Sequence, residues 1–328
     1  MTLFYDARGN IYGVVSPTSL RNNGIDIPES AALAASTRNL WTASAIASEC
    51  DWGATPRPAG AKAHRCDGLL VGPFQTEPPF DLLIVNTDGS LAERSGNGLT
   101  IFAQALTDHG LLSEACELRV HHDKSDAVSP VVTRVEPAVR EQVVGFWLEL
   151  GLPAFGPAAV GAQGAGQAFL AGAELSHVTE LAAINPQWAT SQFVRVGNPH
   201  CVTLVEQASA LPDNAQMQQP ALFEPLQAIA FAPPTGGGQP CSAGVNLQWA
   251  ARQPGNRVIA RVFERGEGPT ASSGTSASAV ACAAWRVGWV ESGEVAVVMP
   301  GGIAPVRLHT QGDTLLSVSL FGTARPQA

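Results

Sequence analysis

Apolar and polar positions alternate along most of the chain with the short period of strands, and helical runs are few. Leu3 to Val15 predicts a first strand or hairpin, broken by Asp6-Ala7-Arg8-Gly9-Asn10, with Asn10 as a turn residue at a strand end. Glu29 to Ser48 is alanine-rich and helix-compatible, and Gly68-Leu69-Leu70-Val71 begins another strand. Further strands are predicted at Cys116 to His122, Val131 to Val135, Gln142 to Leu150, Val245 to Ala250 and Val258 to Phe263. Phe193 to Val205 is two apolar runs around a sharp turn at Gly197-Asn198-Pro199-His200. Gly156 to Gly172 reads as loop with some structure, and Pro233 to Gln239 as a flexible loop. The tail from Glu294 to Ala324 reads as short strands around Pro300-Gly301-Gly302. Many strands and few helices predict an α+β protein on mixed or mostly antiparallel sheets, not a doubly wound parallel one.

Two stretches repeat one sentence. Leu82 to Leu106 reads LLIVNTDGSLAERSGNGLTIFAQAL: an apolar strand, a polar turn, then Ser95-Gly96-Asn97-Gly98 opening an apolar helix. Val262 to Trp285 reads VFERGEGPTASSGTSASAVACAAW: a strand end, a charged and glycine-rich turn, then Ser273-Gly274-Thr275 opening a run of small residues too long for a strand. The first N–H groups of a helix lack partners within it, and its dipole is positive there, so each start is a site for a carboxylate or phosphate. The repetition suggests a duplicated architecture.

Composition narrows the partners. The 328 residues suffice for roughly two domains. A net charge of −9 and a pI near 5.2 leave no basic stripe for nucleic acid or an anionic membrane, so a small molecule is the expected partner. No apolar run reaches the ~18 residues of a membrane span and the start has no leader pattern, which predicts a cytoplasmic protein. Six scattered cysteines without a Cys-x-x-Cys fit buried free thiols. His121-His122-Asp123 resembles a metal cluster, but neighbours on a strand point to opposite faces, and a solvated strand end is the simpler reading. Lys62 and Lys124 are the only lysines, and neither has a setting for a pyridoxal Schiff base, so the chemistry is expected to use no cofactor.

Taken together, Asn86-Thr87-Asp88-Gly89-Ser90 with Ser95-Gly96-Asn97-Gly98, then Gly197-Asn198-Pro199-His200, Gly244-Val245-Asn246, Glu264-Arg265-Gly266 to Ser273-Gly274-Thr275, and Pro300-Gly301-Gly302, resemble the diaminopimelate epimerases in content and order. That family belongs to a wider group of cofactor-independent racemases and isomerases. The resemblance implies two similar domains, each a curved, mostly antiparallel sheet around a central helix, with the active site in the cleft between them. Their expected bounds are 1–131, with the tail about 312–328 packing back, and 132–311. A homodimer is also implied.

In the family the residues before Gly96 and Gly274 are cysteines that remove and return the α-proton on opposite faces. Here they are Ser95 and Ser273. A serine hydroxyl ionises far less than a thiol and needs an adjacent base, so a plain two-thiol mechanism is excluded. By analogy His200 would activate Ser95 and Glu264 would activate Ser273. Gly96, Asn97, Gly274 and Thr275 would hold the substrate carboxylate, and Asn10, Asn86, Asn198, Asn246 and Arg265 its far end. Two departures bear on that far end: Gly68 stands where the family has a glutamine, and the usual Gly-Asn-Asp-Phe start is reduced to Gly9-Asn10-Ile11-Tyr12. Taken singly, either serine is also a good helix N-cap.

The expected function is a cofactor-independent amino-acid epimerase or racemase with a Ser/Ser site, acting on a diaminopimelate-like amino acid or related carboxylate in lysine biosynthesis. The alternatives are a one-base dehydratase or double-bond isomerase on a related carboxylic acid, and a catalytically silent ligand-binding homologue.

Overall fold

The computed structural model describes residues 2–53, 56–125 and 128–327. It divides into two compact units, one running to Leu148 and taking back the segment from Gly322, the other Glu149–Phe321.

The first unit is built on strands β1 (Leu3–Ala7), β2 (Asn10–Val15), β3 (Gly68–Val71), β4 (Phe80–Asn86), β5 (Leu91–Ala92), β6 (Cys116–Val120), β7 (Val131–Arg140) and β8 (Val143–Gly151). Its helices are α1 (Pro17–Asn22), α2 (Ala31–Ser36), α3 (Thr42–Glu49) and α4 (Gly96–Asp108). The predicted hairpin pairs Leu3 with Val14 through Ala7 with Asn10. β2 then runs parallel to β3, β3 antiparallel to β4, β4 parallel to β6, and β6, β7 and β8 follow antiparallel. The alanine-rich stretch is not one helix: Thr37 ends α2, and Trp41 precedes α3 with its indole Nε1 donating to the Ala34 carbonyl at 2.9 Å. Leu99, Ile101, Phe102 and Leu106 of α4 pack with Leu70, Leu82, Ile84 and Leu118 of the strands.

The second unit contains β9 (Ala154–Phe155), β10 (Gly166–Leu170), β11 (Ala173–His177), β12 (Thr190–Val196), β13 (Asn198–Val205), β14 (Asn246–Gln253), β15 (Arg257–Glu264), β16 (Gly268–Thr270), β17 (Gly293–Met299), β18 (Gly302–Gln311) and β19 (Thr314–Gly322). α5 (Pro157–Val160), α6 (Thr179–Ile184), α7 (Asn214–Met217), α8 (Pro220–Ala230) and α9 (Gly274–Arg286) complete it. The tail forms long strands, not short ones, because β17, β18 and β19 pair along most of their lengths. Beyond them β20 (Arg325–Pro326) returns to the first unit and pairs with β1.

The succession β12 antiparallel to β13, parallel to β14, antiparallel to β15, parallel to β17, then β18 and β19 antiparallel, repeats that of β1 through β8. α9 enters between β15 and β17 as α4 does between β4 and β6. The two-residue period sorts β13 and β14 between two cores. Val202, Leu204 and Ala250 face α9, while Cys201, Leu247 and Trp249 face the layer containing α8. Ser276 through Ala284 are all fully buried, which small side chains permit because the helix can lie close against the strands.

One glycine is fixed by contact. A Cβ on Gly68 would lie 2.3 Å from the Val85 carbonyl oxygen, a backbone atom that cannot swing away, and 3.2 Å from the Tyr12 ring. Gly68→Ala is therefore expected to destabilise the chain by about 1–3 kcal/mol in a denaturant melt.

Candidate active site

The repeated topology matches positions between units. Tyr12 and His200 are each the third residue of their strand, and each faces the first position of the following one: Tyr12 opposite Gly68, His200 opposite Asn246. Asn86 and Glu264 each close the next strand, and Ser95 and Ser273 each precede the central helix. The two half-sites thus share one backbone plan and differ in side chains.

In the first unit, Ser95 has extended backbone and its Oγ accepts from the Gly98 N–H at 3.0 Å, so it caps α4. The Tyr12 phenol, 9% exposed, lies beside Ser95; burial raises its pKa, and the nearby hydroxyl works against that. The Asn97 amide donates to Asn10 Oδ1, and Asp67 Oδ2 accepts from the Ile11 N–H at 2.9 Å. Asn10 and Asn97 are thereby brought together at the helix start, with Gly96 between Ser95 and Asn97. Asn86 is engaged elsewhere: its Nδ2 donates to Ser90 Oγ at 2.9 Å, within the polar turn that also holds Asp88.

In the second unit, Ser273 again has extended backbone at a helix start, yet its side chain makes no capping bond. Its hydroxyl instead lies beside the carboxyl of Glu264, the last residue of β15, and favours that group's charged form. Burial raises the Glu264 pKa; the Ser273 contact opposes that and Glu267 adds to it. A carboxyl raised this way is a stronger base once ionised than an exposed one. Asn246 Oδ1 accepts from the Arg265 N–H at 2.9 Å, and the Arg265 guanidinium donates to the Ala243 carbonyl at 3.1 Å. Glu264 and Arg265, though adjacent, thus turn to different partners. Gly197, with φ +68, makes the turn that presents Asn198, and a Cβ there would lie 3.9 Å from Thr275 Cγ2, at the start of α9. Gly301 donates to the Ala271 carbonyl at 2.7 Å, so the Pro300-Gly301-Gly302 turn braces the chain entering Ser273.

His200 is fully buried, and burial, then Arg265, then Arg195, lower its pKa to about 3. Its Nδ1 lies 3.1 Å from the Gln248 amide nitrogen. Tyr12, Gln248 and Gly274's neighbour Ser276 carry polar contacts that the motif reading did not assign. A signal existed for two of them: Tyr12 stands two residues beyond Asn10 and Gln248 two beyond Asn246, which places each on the same strand face as a candidate.

The His121-His122 reading changes. Neither ring is solvated: they are 9% and 4% exposed, His121 Nε2 lies 3.0 Å from Asp81 and His122 Nε2 3.0 Å from the Val128 carbonyl. The rings find separate partners, as opposite strand faces require. Among the described residues no group of three His, Cys, Asp or Glu is placed to hold a metal ion, and no helix is long and apolar enough to cross a membrane.

The fold defines the class first. A phenazine biosynthesis protein of the PhzF family from Bacillus anthracis superposes with a TM-score of 0.57 at 12% identity, covering 99% of this chain and 96% of that one. A methylitaconate-delta-isomerase superposes with a TM-score of 0.58 at 14% identity, covering 100% and 93%. Both share the α+β fold of epimerases and related isomerases. Residues 192–325 match the family model for diaminopimelate epimerase. "Diaminopimelate epimerase 2" of Nostoc sp. is 30% identical over 254 residues, 76% of this chain and 78% of the relative. The diaminopimelate epimerase of Burkholderia thailandensis is 30% identical over 252 residues, 75% and 72%. The chain belongs to the diaminopimelate epimerase family, and with it to the racemase and epimerase isomerases.

The two serines should separate in a stability assay. Ser95→Ala removes a cap and is expected to cost about 1 kcal/mol; Ser273→Ala removes none and should melt within a degree or two of wild type. Equal losses on thermal melting would contradict the different roles drawn for the two hydroxyls.

Proposed function

We propose that the chain isomerises an amino acid or closely related carboxylate by proton transfer at the carbon next to its carboxyl group, without thiols. The observation that carries this reading is Ser273: at a helix start where its hydroxyl would ordinarily cap, it lies instead beside a half-buried glutamate of raised pKa. Glu264 takes the α-proton, directly or through the Ser273 hydroxyl, and the opposite face of the carbon receives a proton from the Ser95 hydroxyl. The helix starts at Gly96 and Asn97 and at Gly274 and Thr275 hold the carboxylate, whose charge increases as the carbon is deprotonated. Arg265 with Asn10, Asn86, Asn198 and Asn246 reads the distal end. A diaminopimelate-like substrate, a role in lysine biosynthesis and a homodimeric state rest on the family likeness. A cytoplasmic location has the support of the six free cysteines.

A second reading has an observation of its own. Asn86 stands in the first unit where Glu264 stands in the second, and an amide cannot serve as a carboxylate base. One competent base favours a dehydratase or double-bond isomerase, in which no proton need return to the opposite face.

Incubation in D₂O with LL- and meso-diaminopimelate and a panel of amino and hydroxy acids separates these readings. Exchange of the α-proton with inversion is the expected result. Exchange without inversion, or an unsaturated product, supports the one-base reading; binding with no exchange on any member contradicts both. The rate should rise with pH along a limb above the ordinary carboxylate range, because Glu264 must be ionised to act and its folded pKa is raised.

A further inference from the structure

One polar cluster in the second unit lies deeper than the helix start. His200, Gln248 and Ser276 are each fully buried, on β13, β14 and α9. Gln248 shares its strand face with Asn246 and stands opposite Val202, which shares a face with His200. Its amide nitrogen lies 3.1 Å from His200 Nδ1 and 3.1 Å from Ser276 Oγ, enough to direct one N–H at each. Two buried atoms of the group, His200 Nε2 and Gln248 Oε1, have no hydrogen-bond partner.

The first unit shows that packing does not demand this cluster. Leu70 stands two residues beyond Gly68 as Gln248 does beyond Asn246, and Gly98 three beyond Ser95 as Ser276 does beyond Ser273. There the matching positions carry no polar side chain: Leu70 is apolar and fully buried, and Gly98 has none. Burying an amide, an imidazole and a hydroxyl together, with two atoms unpartnered, is unfavourable for stability and indicates a function.

We infer that Gln248 holds His200 as a neutral ring with its proton on Nε2, and that His200 serves the reaction as a hydrogen-bond donor and not as a base. A neutral imidazole accepts through one nitrogen and donates through the other. With an amide N–H directed at Nδ1, the proton resides on Nε2, the atom that has no partner within the protein. The charged groups that act on the ring, Arg265 and Arg195, both disfavour an imidazolium, as burial does; the nearby Val196 carbonyl, which favours one, is not in hydrogen-bond geometry with either ring nitrogen. A neutral ring protonated at Nε2 has no lone pair there to receive a proton and is too weak an acid to release one. It presents an N–H to an oxygen: a substrate carboxylate, the enolate formed from it, or a serine hydroxyl. No proton leaves the ring during turnover. Gln248 is then a positioning residue acting through His200. The role in the reaction rests on the isomerase reading; the protonation state does not.

The test is nitrogen NMR of the full chain labelled with ¹⁵N-histidine at neutral pH, with His200 assigned by the signal lost in His200→Ala. The expected pattern is a bare Nδ1 and a protonated Nε2, unchanged on lowering the pH to about 5, well below the ordinary imidazole range. A protonated Nδ1, or titration near pH ~6.5, would overturn the inference. Gln248→Met should lose the single tautomer and slow α-proton exchange by about tenfold, mainly in kcat; a variant that keeps the wild-type tautomer removes Gln248 from the account. The wild-type spectrum decides even if that variant folds poorly. A wild type silent in exchange contradicts the isomerase reading, while a wrong tautomer contradicts this one.

Discussion

The candidate site is organised by the start of a helix whose body is buried. In each unit a 13-residue helix, α4 or α9, packs into the concave core of one sheet. Its first N–H groups have no partners of their own, and the helix dipole concentrates positive charge there. Both starts are half-buried at residues 95–97 and 273–275, so the side chain at the cap position and the one at the end of the preceding strand set the chemistry each start can offer.

The two units answer differently. In the first, Ser95 caps the helix and meets a phenol, while Asn86 occupies the strand end. In the second, the cap bond is absent, the hydroxyl turns to Glu264, and an imidazole takes the place of the phenol. A common backbone therefore carries different side chains at matching positions in the two units. On the proposed reading the site works without thiols, and the raised carboxyl of Glu264 is the group that takes the proton.

Strand positions and both helix starts were legible in the sequence because period, turn chemistry and the Ser-Gly signature are local properties. Gly68 shows where local reading stops. Its lack of a side chain reads as a missing family contact, but the reason lies across the sheet, at the Val85 carbonyl and the Tyr12 ring. The same holds for Gln248, whose importance depends on register with β13 and on Ser276 of α9. The equal reading given to the two serines as caps also divides only in three dimensions: φ and ψ are nearly the same at both, and the direction of the hydroxyl differs. The histidine pair at 121–122 looked solvated because it follows a strand, and is buried because Asp81 and the Val128 carbonyl supply partners.

The claim at the centre of this account is that Glu264 removes the proton and Ser273 assists it. Measuring the rate at which the α-position of a turned-over substrate acquires deuterium in Glu264→Gln and in Ser273→Ala addresses it most directly. The account predicts a loss of about 10²–10⁴-fold in the glutamine variant and a smaller loss in the alanine variant, because the carboxylate remains. Exchange that survives intact in Glu264→Gln would contradict it and move the base to another residue.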